Sequence, residues 1–253
     1  MSVWAVANQK GGVGKTTTAV ALAGIASERR EACLLIDLDP HASATSYLRA
    51  RDGSGAEKLL TIGRGDPSPT AVEGIMMLGA NARLATLERQ QGGTAGMGHR
   101  LGQALQPLRE RYARIIIDTP PMLGGLLINA LAAADAIVVP VQTDPLALNG
   151  LEGLLRTVEM MRNAGASVPE PILLPTLMDR RVRIAHETLA EIRERWGDKV
   201  FDGGVVPMDT RIREAARDGK PVTHCAPYRH ASSTYEALYE HLLGHGAASE
   251  QAA

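Results

Sequence analysis

The chain is poor in cysteine. Cys33 and Cys225 are the only two in 253 residues. They lie far apart and match no zinc or redox spacing, so both read as reduced core thiols and no disulfide framework is expected. Lysine is scarce too: the positive charge is mostly arginine, and the lysines are only Lys10, Lys15, Lys58, Lys199 and Lys220. Two of these five fall in one glycine loop, which a solvated surface does not require. Charge of either sign is not in excess. The net value is −1 at pH 7, so bulk charge argues neither for nor against nucleic acid, and any basic surface must be local. No uncharged apolar run approaches the roughly 18 residues of a membrane span. Residues 1–8 have no positive stretch ahead of their apolar run, so they read as a buried strand rather than a secretory signal. Repeats and heptad arrays are absent as well.

What is present is an ordinary globular balance, 45% hydrophobic and 22% charged. A chain of this length buries a core without disulfides or structural metal. Apolar runs alternate with helical patterns, which predicts an α/β fold: a mostly parallel central sheet with helices on both faces. The expected strands are 3–7, 34–38, 115–117, 136–141, 172–174 and 205–206. Their residues are continuously apolar, as in a sheet covered on both sides. Helices are expected at 15–28, 97–111, 123–132, 147–163, 184–196, 210–217 and 232–243. Residues 52–65 and 91–98 read as surface loops. One domain is expected over 1–243, followed by a small, polar, disordered tail over 244–253.

The strongest local signal is Lys10-Gly11-Gly12-Val13-Gly14-Lys15-Thr16-Thr17, preceded by Asn8-Gln9. It follows an apolar strand and opens a helix, the context of a phosphate-binding loop. Glycines let backbone N–H groups turn inward without Cβ clashes. Those donors and the helix N-terminus form a concave anion site. Lys15 reaches the β- and γ-phosphates of a nucleotide, and the Thr16 hydroxyl can ligate Mg²⁺. The ordinary Walker pattern wants glycine at position 9; this chain has Gln9 there and Lys10 next.

Two acidic segments complete the pattern. Asp37 and Asp39 stand at the C-terminal end of a buried strand, where open α/β sheets bind ligands. Strand alternation predicts that they share a face. Ile115-Ile116-Ile117-Asp118-Thr119-Pro120-Pro121 reads as a Walker B segment that brings Asp118 to the Mg²⁺ shell. The paired prolines stiffen a loop that can respond to the γ-phosphate.

Lys-Gly-Gly-x-Gly-Lys-Thr resembles the deviant Walker A motif of the ParA/MinD family of P-loop ATPases. The likeness covers nearly the whole chain, including Asp39-Pro40-His41-Ala42-Ser43, Val139-Pro140-Val141-Gln142 and Val206-Pro207-Met208-Asp209-Thr210-Arg211. It implies ATP and Mg²⁺ as ligands and a homodimer formed on ATP binding. It implies that Lys10 reaches the partner subunit's nucleotide, that Asp39 positions the attacking water, and that Asp37 supports Mg²⁺ through water. Met178 and Pro207 are expected among the nucleotide contacts. Partition ATPases usually carry Gln where this chain has His41. Asp-Pro-His, with residues 3–8 and Ala85-Thr86-Leu87-Glu88-Arg89-Gln90, resembles a subgroup called ParC found with polar chemotaxis proteins.

In short ParA proteins two arginine regions bind DNA without sequence preference. Here they correspond to Arg180, Arg181 and Arg183, and to Arg211, Arg213, Arg217 and Lys220. No DNA-reading domain precedes the first strand, so operator recognition by this chain alone is not expected. Its end lacks the basic amphipathic helix of MinD-type proteins, so direct membrane attachment is not expected either. The expected function is an ATPase that positions cargo from the cytoplasm, at the nucleoid or a pole, with turnover raised by a ParB-like or chemotaxis-cluster activator. The competing expectation is a metabolic P-loop enzyme, a ligase or kinase-like protein on the same fold. An iron–sulfur reductase is disfavoured by the placement of Cys33 and Cys225.

Overall fold

A computed structural model describes residues 1–91, 99–225 and 230–250. Its seven strands are β1 (Ser2–Val6), β2 (Cys33–Asp37), β3 (Ser68–Pro69), β4 (Ile75–Leu78), β5 (Arg114–Asp118), β6 (Ala136–Gln142) and β7 (Pro171–Thr176). They form one sheet in the order β3-β4-β2-β5-β1-β6-β7. Only the short β3–β4 edge pair is antiparallel; every other pairing is parallel.

Alternate residues of each central strand feed opposite cores, because successive Cβ atoms point to opposite faces. Val3 and Ala5, Leu34 and Ile36, and Ile115 and Ile117 face one layer. Its helices are α3 (Gly55–Ile62), α4 (Arg83–Gln91), α5 (Arg100–Arg109), α6 (Gly125–Ala133) and α7 (Pro145–Asn163). Trp4 and Val6, Cys33 and Leu35, and Ile116 face the other. That layer holds α1 (Lys15–Glu28), α2 (Ser43–Tyr47), α9 (Thr210–Asp218) and α10 (His230–Glu250). α8 (Arg183–Trp196) contributes Ala185 and Leu189 to a small separate cluster with Met178.

Several expectations differ from the structure, and α2, β3 and α4 formed no part of them. Residues 52–65 contain a helix, α3, because Ala56, Leu59 and Leu60 recur at helical spacing and are buried. The surrounding Gly53, Gly55, Gly63 and Gly65 mask that period. β4 was not expected; Ile75–Leu78 is a four-residue apolar run whose identity periodicity cannot decide. Residues 205–206 are no sheet strand: Val206 only exchanges single backbone bonds with Pro175 and Met178. The last helix continues to Glu250 through residues expected to be a disordered tail, as alanine and glutamate are good helix formers. Of the loop expected at 91–98, Gln91 closes α4 and 92–98 lie outside the described residues. Among the described residues no helix is long and apolar enough to cross a membrane.

A nucleotide site at the carboxyl edge of the sheet

The central strands β2, β5 and β1 are neighbours, and their register lines up their ends. Asp37 pairs with Asp118, and Val6 pairs with Asp118 on the other side. The loop after β1 therefore emerges beside both carboxylates. Gly12 (φ 77°) and Gly14 (φ 95°) take left-handed conformations in that loop, which few other residues tolerate. A Cβ at Gly11, Gly12 or Gly14 would meet nothing within 4 Å, so the concave side is open.

The loop is braced from β6 and β7, and the end of β1 from the residue after β5. Asn8 Nδ2 donates to Pro140 O at 2.7 Å, and its Oδ1 accepts from Lys10 N at 2.9 Å. Thr176 Oγ1 donates to Val13 O at 2.8 Å, and Thr119 Oγ1 donates to Val6 O at 2.8 Å. Val13 is fully buried, so it contributes backbone rather than side chain to the cradle. Gly150 and Gly153 of α7 let Lys10 and Gln9 pack closely, since a Cβ there would lie 3.3 and 2.7 Å from them. None of these braces was legible in the sequence.

Lys15 is buried, and its Nζ donates to Lys10 O at 3.0 Å. Burial lowers its pKa, while the Asp118 and Asp39 carboxylates oppose the shift. Thr16 Oγ1 donates to Asp118 Oδ2 at 2.7 Å. The other oxygen, Oδ1, is buried without a hydrogen-bond partner among the described residues. Burial raises the Asp118 pKa well above the carboxylate range, and Asp37 adds to the rise. An orphaned buried carboxylate oxygen next to a threonine hydroxyl fits a hard divalent cation, which takes oxygen ligands. Thr16 and Asp118 would hold Mg²⁺ here, where it would offset phosphate charge.

Both carboxylate oxygens of Asp37 accept hydrogen bonds from its own chain. Oδ1 accepts from Asp39 N at 3.0 Å, and Oδ2 accepts from Thr45 N at 2.9 Å and Thr45 Oγ1 at 2.7 Å. Thr45 Oγ1 in turn accepts from Ala80 N at 2.9 Å. Oδ1 thus holds the turn after β2, while Oδ2 ties β2 to α2 and, through Thr45, to Ala80 beyond β4. Burial, its largest influence, pushes its pKa up to about 6. Asp39 does not share a strand face with it: β2 ends at Asp37, and Asp39 sits in the following turn.

A cleft of about 410 Å³ covers the loop. Gly11, Gly12, Gly14, Lys15, Thr16, Thr17 and Asp39 line it, with Ser43, Pro121, Leu177, Met208, Asp209, Ile212 and Arg213. Lys10 is not on this lining; its Nζ lies 3.6 Å from Asp144. Met178 and Pro207 are paired by an isolated bridge but do not line the cleft. Their neighbours Leu177 and Met208 do, because Met178 turns into the cluster with Ala185 and Leu189. Leu177 has a φ of 54°, a costly conformation for a leucine, beside the cleft.

The arginines expected to meet DNA divide into two sets. Arg181 pairs with Asp179, Arg183 with Glu187, Arg211 with Asp209 and Arg217 with Asp218. Arg180, Arg213 and Lys220 are exposed and carry no ion pair among the described residues, and Arg213 belongs to the cleft. A second cleft of about 530 Å³ lies between α7 and α8, far from this chemistry, and is lined by Arg162, Arg195 and Lys199 with their acidic partners.

A family described as an AAA domain matches residues 1–168. The chain is 40% identical over 246 residues to the chromosome-partitioning ATPase Soj of Thermus thermophilus, covering 94% of each chain. The structure of McdA from Cyanothece superposes with a TM-score of 0.87, covering 96% of this chain and 99% of that one, at 21% identity. The cobyrinic acid a,c-diamide synthase of Mycobacterium smegmatis, with bound ATP analogue and magnesium, has a TM-score of 0.80 at 30% identity, covering 97% and 95%. A phosphate cradle beside a cation-ready Asp118, and these similarities along nearly the full length, place the chain in the ParA/MinD family of P-loop ATPases, which hydrolyse ATP with magnesium.

Proposed function

We propose that this ATPase is a positioning switch. ATP closes a sandwich homodimer, the dimer holds cargo or a support for it, and hydrolysis releases both. The observation that carries this reading is the position of Lys10. Lys15 lines its own cleft; Lys10 does not, and its side chain remains 28% exposed beside Asp144. That position supports a role at a second copy's phosphates, as a cation supplied in trans. Apolar side chains accompany the cleft lining and Asp144: Met122 and Leu123 after Pro121, Leu146 after Asp144, and Met208, all about half or more exposed. Such a rim fits burial against a partner.

Within the dimer, water oriented at Asp39 attacks the γ-phosphorus in line as its bond to the β–γ bridging oxygen breaks, giving ADP and phosphate. Lys15 and the trans Lys10 offset charge that develops on the phosphate oxygens. Asp37 acts mainly through its bonds to Asp39 and Thr45. That Soj of Thermus thermophilus is a chromosome-partitioning ATPase supports DNA as the cargo; a polar cluster in the cytoplasm is the alternative. Arg180 and Lys220 are the free cations best placed for nonspecific phosphate contacts, and the paired Arg181, Arg183, Arg211 and Arg217 would have to exchange partners.

A ligase reading draws on the likeness to the a,c-diamide synthase. The two readings separate in one assay. With purified protein, ATP turnover should rise with a ParB-like or chemotaxis-cluster protein encoded nearby, and light scattering should show an ATP-dependent dimer. Turnover that rises instead with a small carboxylic acid and an amide donor, in a protein that stays monomeric, would overturn the positioning switch.

A further inference from the structure

The turn after β2 contains a contact that the phosphate loop and the cation site do not account for. Asp39 Oδ1 accepts from His41 N at 2.9 Å, and His41 Nδ1 stands 2.8 Å from the same oxygen. Among the described residues no other donor reaches this carboxylate. We propose that His41 is a positioning residue for ATP hydrolysis. Its imidazole and its backbone N–H together fix Oδ1, so that Oδ2 is the oxygen left to orient water. This rests on the reading of Asp39 as the residue that holds the attacking water.

The terminal torsion of an aspartate is broad and roughly two-fold, so one donor from the same turn leaves the carboxylate plane free to rock. A second donor at a different angle stops that motion. A carboxylate only accepts, so it selects the imidazole form with a proton on Nδ1. The turn itself is built rather than slack. Ala42 takes a φ of 54° and its N–H donates to Asp39 O at 2.8 Å. That strained residue leads into α2, where Thr45 holds Asp37. The geometry of Asp39 is therefore set from both sides, by Asp37 through its N–H and by His41 at its carboxylate.

His41 has no packing reason to be where it is. Its side chain is 76% exposed, against 11% for Asp39. A hydrogen bond from a side chain this exposed contributes little to stability, so changing His41 leaves the fold intact and isolates its effect on the reaction.

The test is steady-state ATP hydrolysis with Mg²⁺ by the full chain and its His41→Ala, His41→Asn and Asp39→Ala variants. His41→Ala should lower kcat roughly ten-fold, the weight of one charge-assisted hydrogen bond. KM and ATP-dependent association should not change. His41→Asn, whose amide N–H reaches where Nδ1 stands, should recover most of the rate. If His41→Ala turns over at the wild-type rate while Asp39→Ala is inactive, His41 has no positioning role and the reading of Asp39 survives. A loss confined to KM overturns the proposal as well. If Asp39→Ala itself turns over normally, the reading of Asp39 falls and this proposal falls with it.

Discussion

Lys10 Nζ lies 3.6 Å from Asp144 Oδ1, and that same oxygen accepts the N–H of Leu146 to cap α7. One carboxylate thus holds the loop lysine within its own chain and begins a helix. A lysine that serves a second copy must leave this partner. Asp144→Asn keeps the capping oxygen and removes the charge. ATP-dependent association should then strengthen by a factor of about 2–5, the range of a half-exposed ion pair. Light scattering across a concentration series reads this; weaker association in the variant would show that Asp144 supports the dimer instead.

Asp118 offers its one unpartnered oxygen beside Thr16. Asp118→Asn should leave binding of ATP without Mg²⁺ nearly unchanged and abolish the gain that Mg²⁺ brings. Lys15→Ala should act earlier, weakening ATP itself by roughly 100-fold or more as the buried cation is lost. Titration of a fluorescent ATP analogue with and without Mg²⁺ separates the two. Equal Mg²⁺ dependence in wild type and Asp118→Asn would remove Asp118 from the cation site.

The carboxyls of Asp37 and Asp118 are both raised, mainly by burial, Asp37 to about 6. A carboxyl raised on folding is held more easily when protonated. Its contribution to stability is fully present below its unfolded pKa and is lost as pH rises through the folded value. A cation at Asp118 offsets that loss. The increase in Tm caused by Mg²⁺-ATP should therefore be larger at about pH 7.5 than at about pH 5. Thermal melts at both pH values check it, and a larger increase on the acid side contradicts the assignment.

Thr45 is the structural partner that the site depends on. Its hydroxyl donates to Asp37 and accepts from Ala80 N, and both ends are buried. Thr45→Val keeps the shape and removes both bonds. The cost should be about 2–4 kcal/mol, because a buried carboxylate and a buried N–H are each left short of a partner. Urea denaturation measures it. A loss below about 0.5 kcal/mol, the level of an ordinary surface change, would mean that water replaces the hydroxyl.

Much of this molecule is local in origin. The helix at 15–28 has the same bounds in the structure as in the sequence reading, since Gly14 precedes it and its residues from Thr18 to Ala26 are uniformly buried. Lys15, Thr16 and Asp118 converge as their motifs predict. The errors arose where a pattern was short or interrupted, as in α3 with its glycines and in the four residues of β4. Leu177 and Met208 line the cleft where Met178 and Pro207 do not, because the side of the chain that faces a cleft depends on what packs behind it.

The sequence by itself determined the chemistry: a glycine loop at a strand-to-helix junction makes an anion cradle wherever it folds, as φ freedom and the helix N-terminus are properties of a few consecutive residues. It also determined the parallel sheet, through continuous apolar runs. The tertiary structure alone decided which side chains serve that chemistry and which serve the scaffold. Asp37, Thr45 and Ala80 meet, Lys10 meets Asp144, and Thr176 meets Val13, across separations of up to 163 residues. Such contacts follow from strand order and register, and those are settled by the simultaneous burial of both sheet faces rather than by any segment on its own.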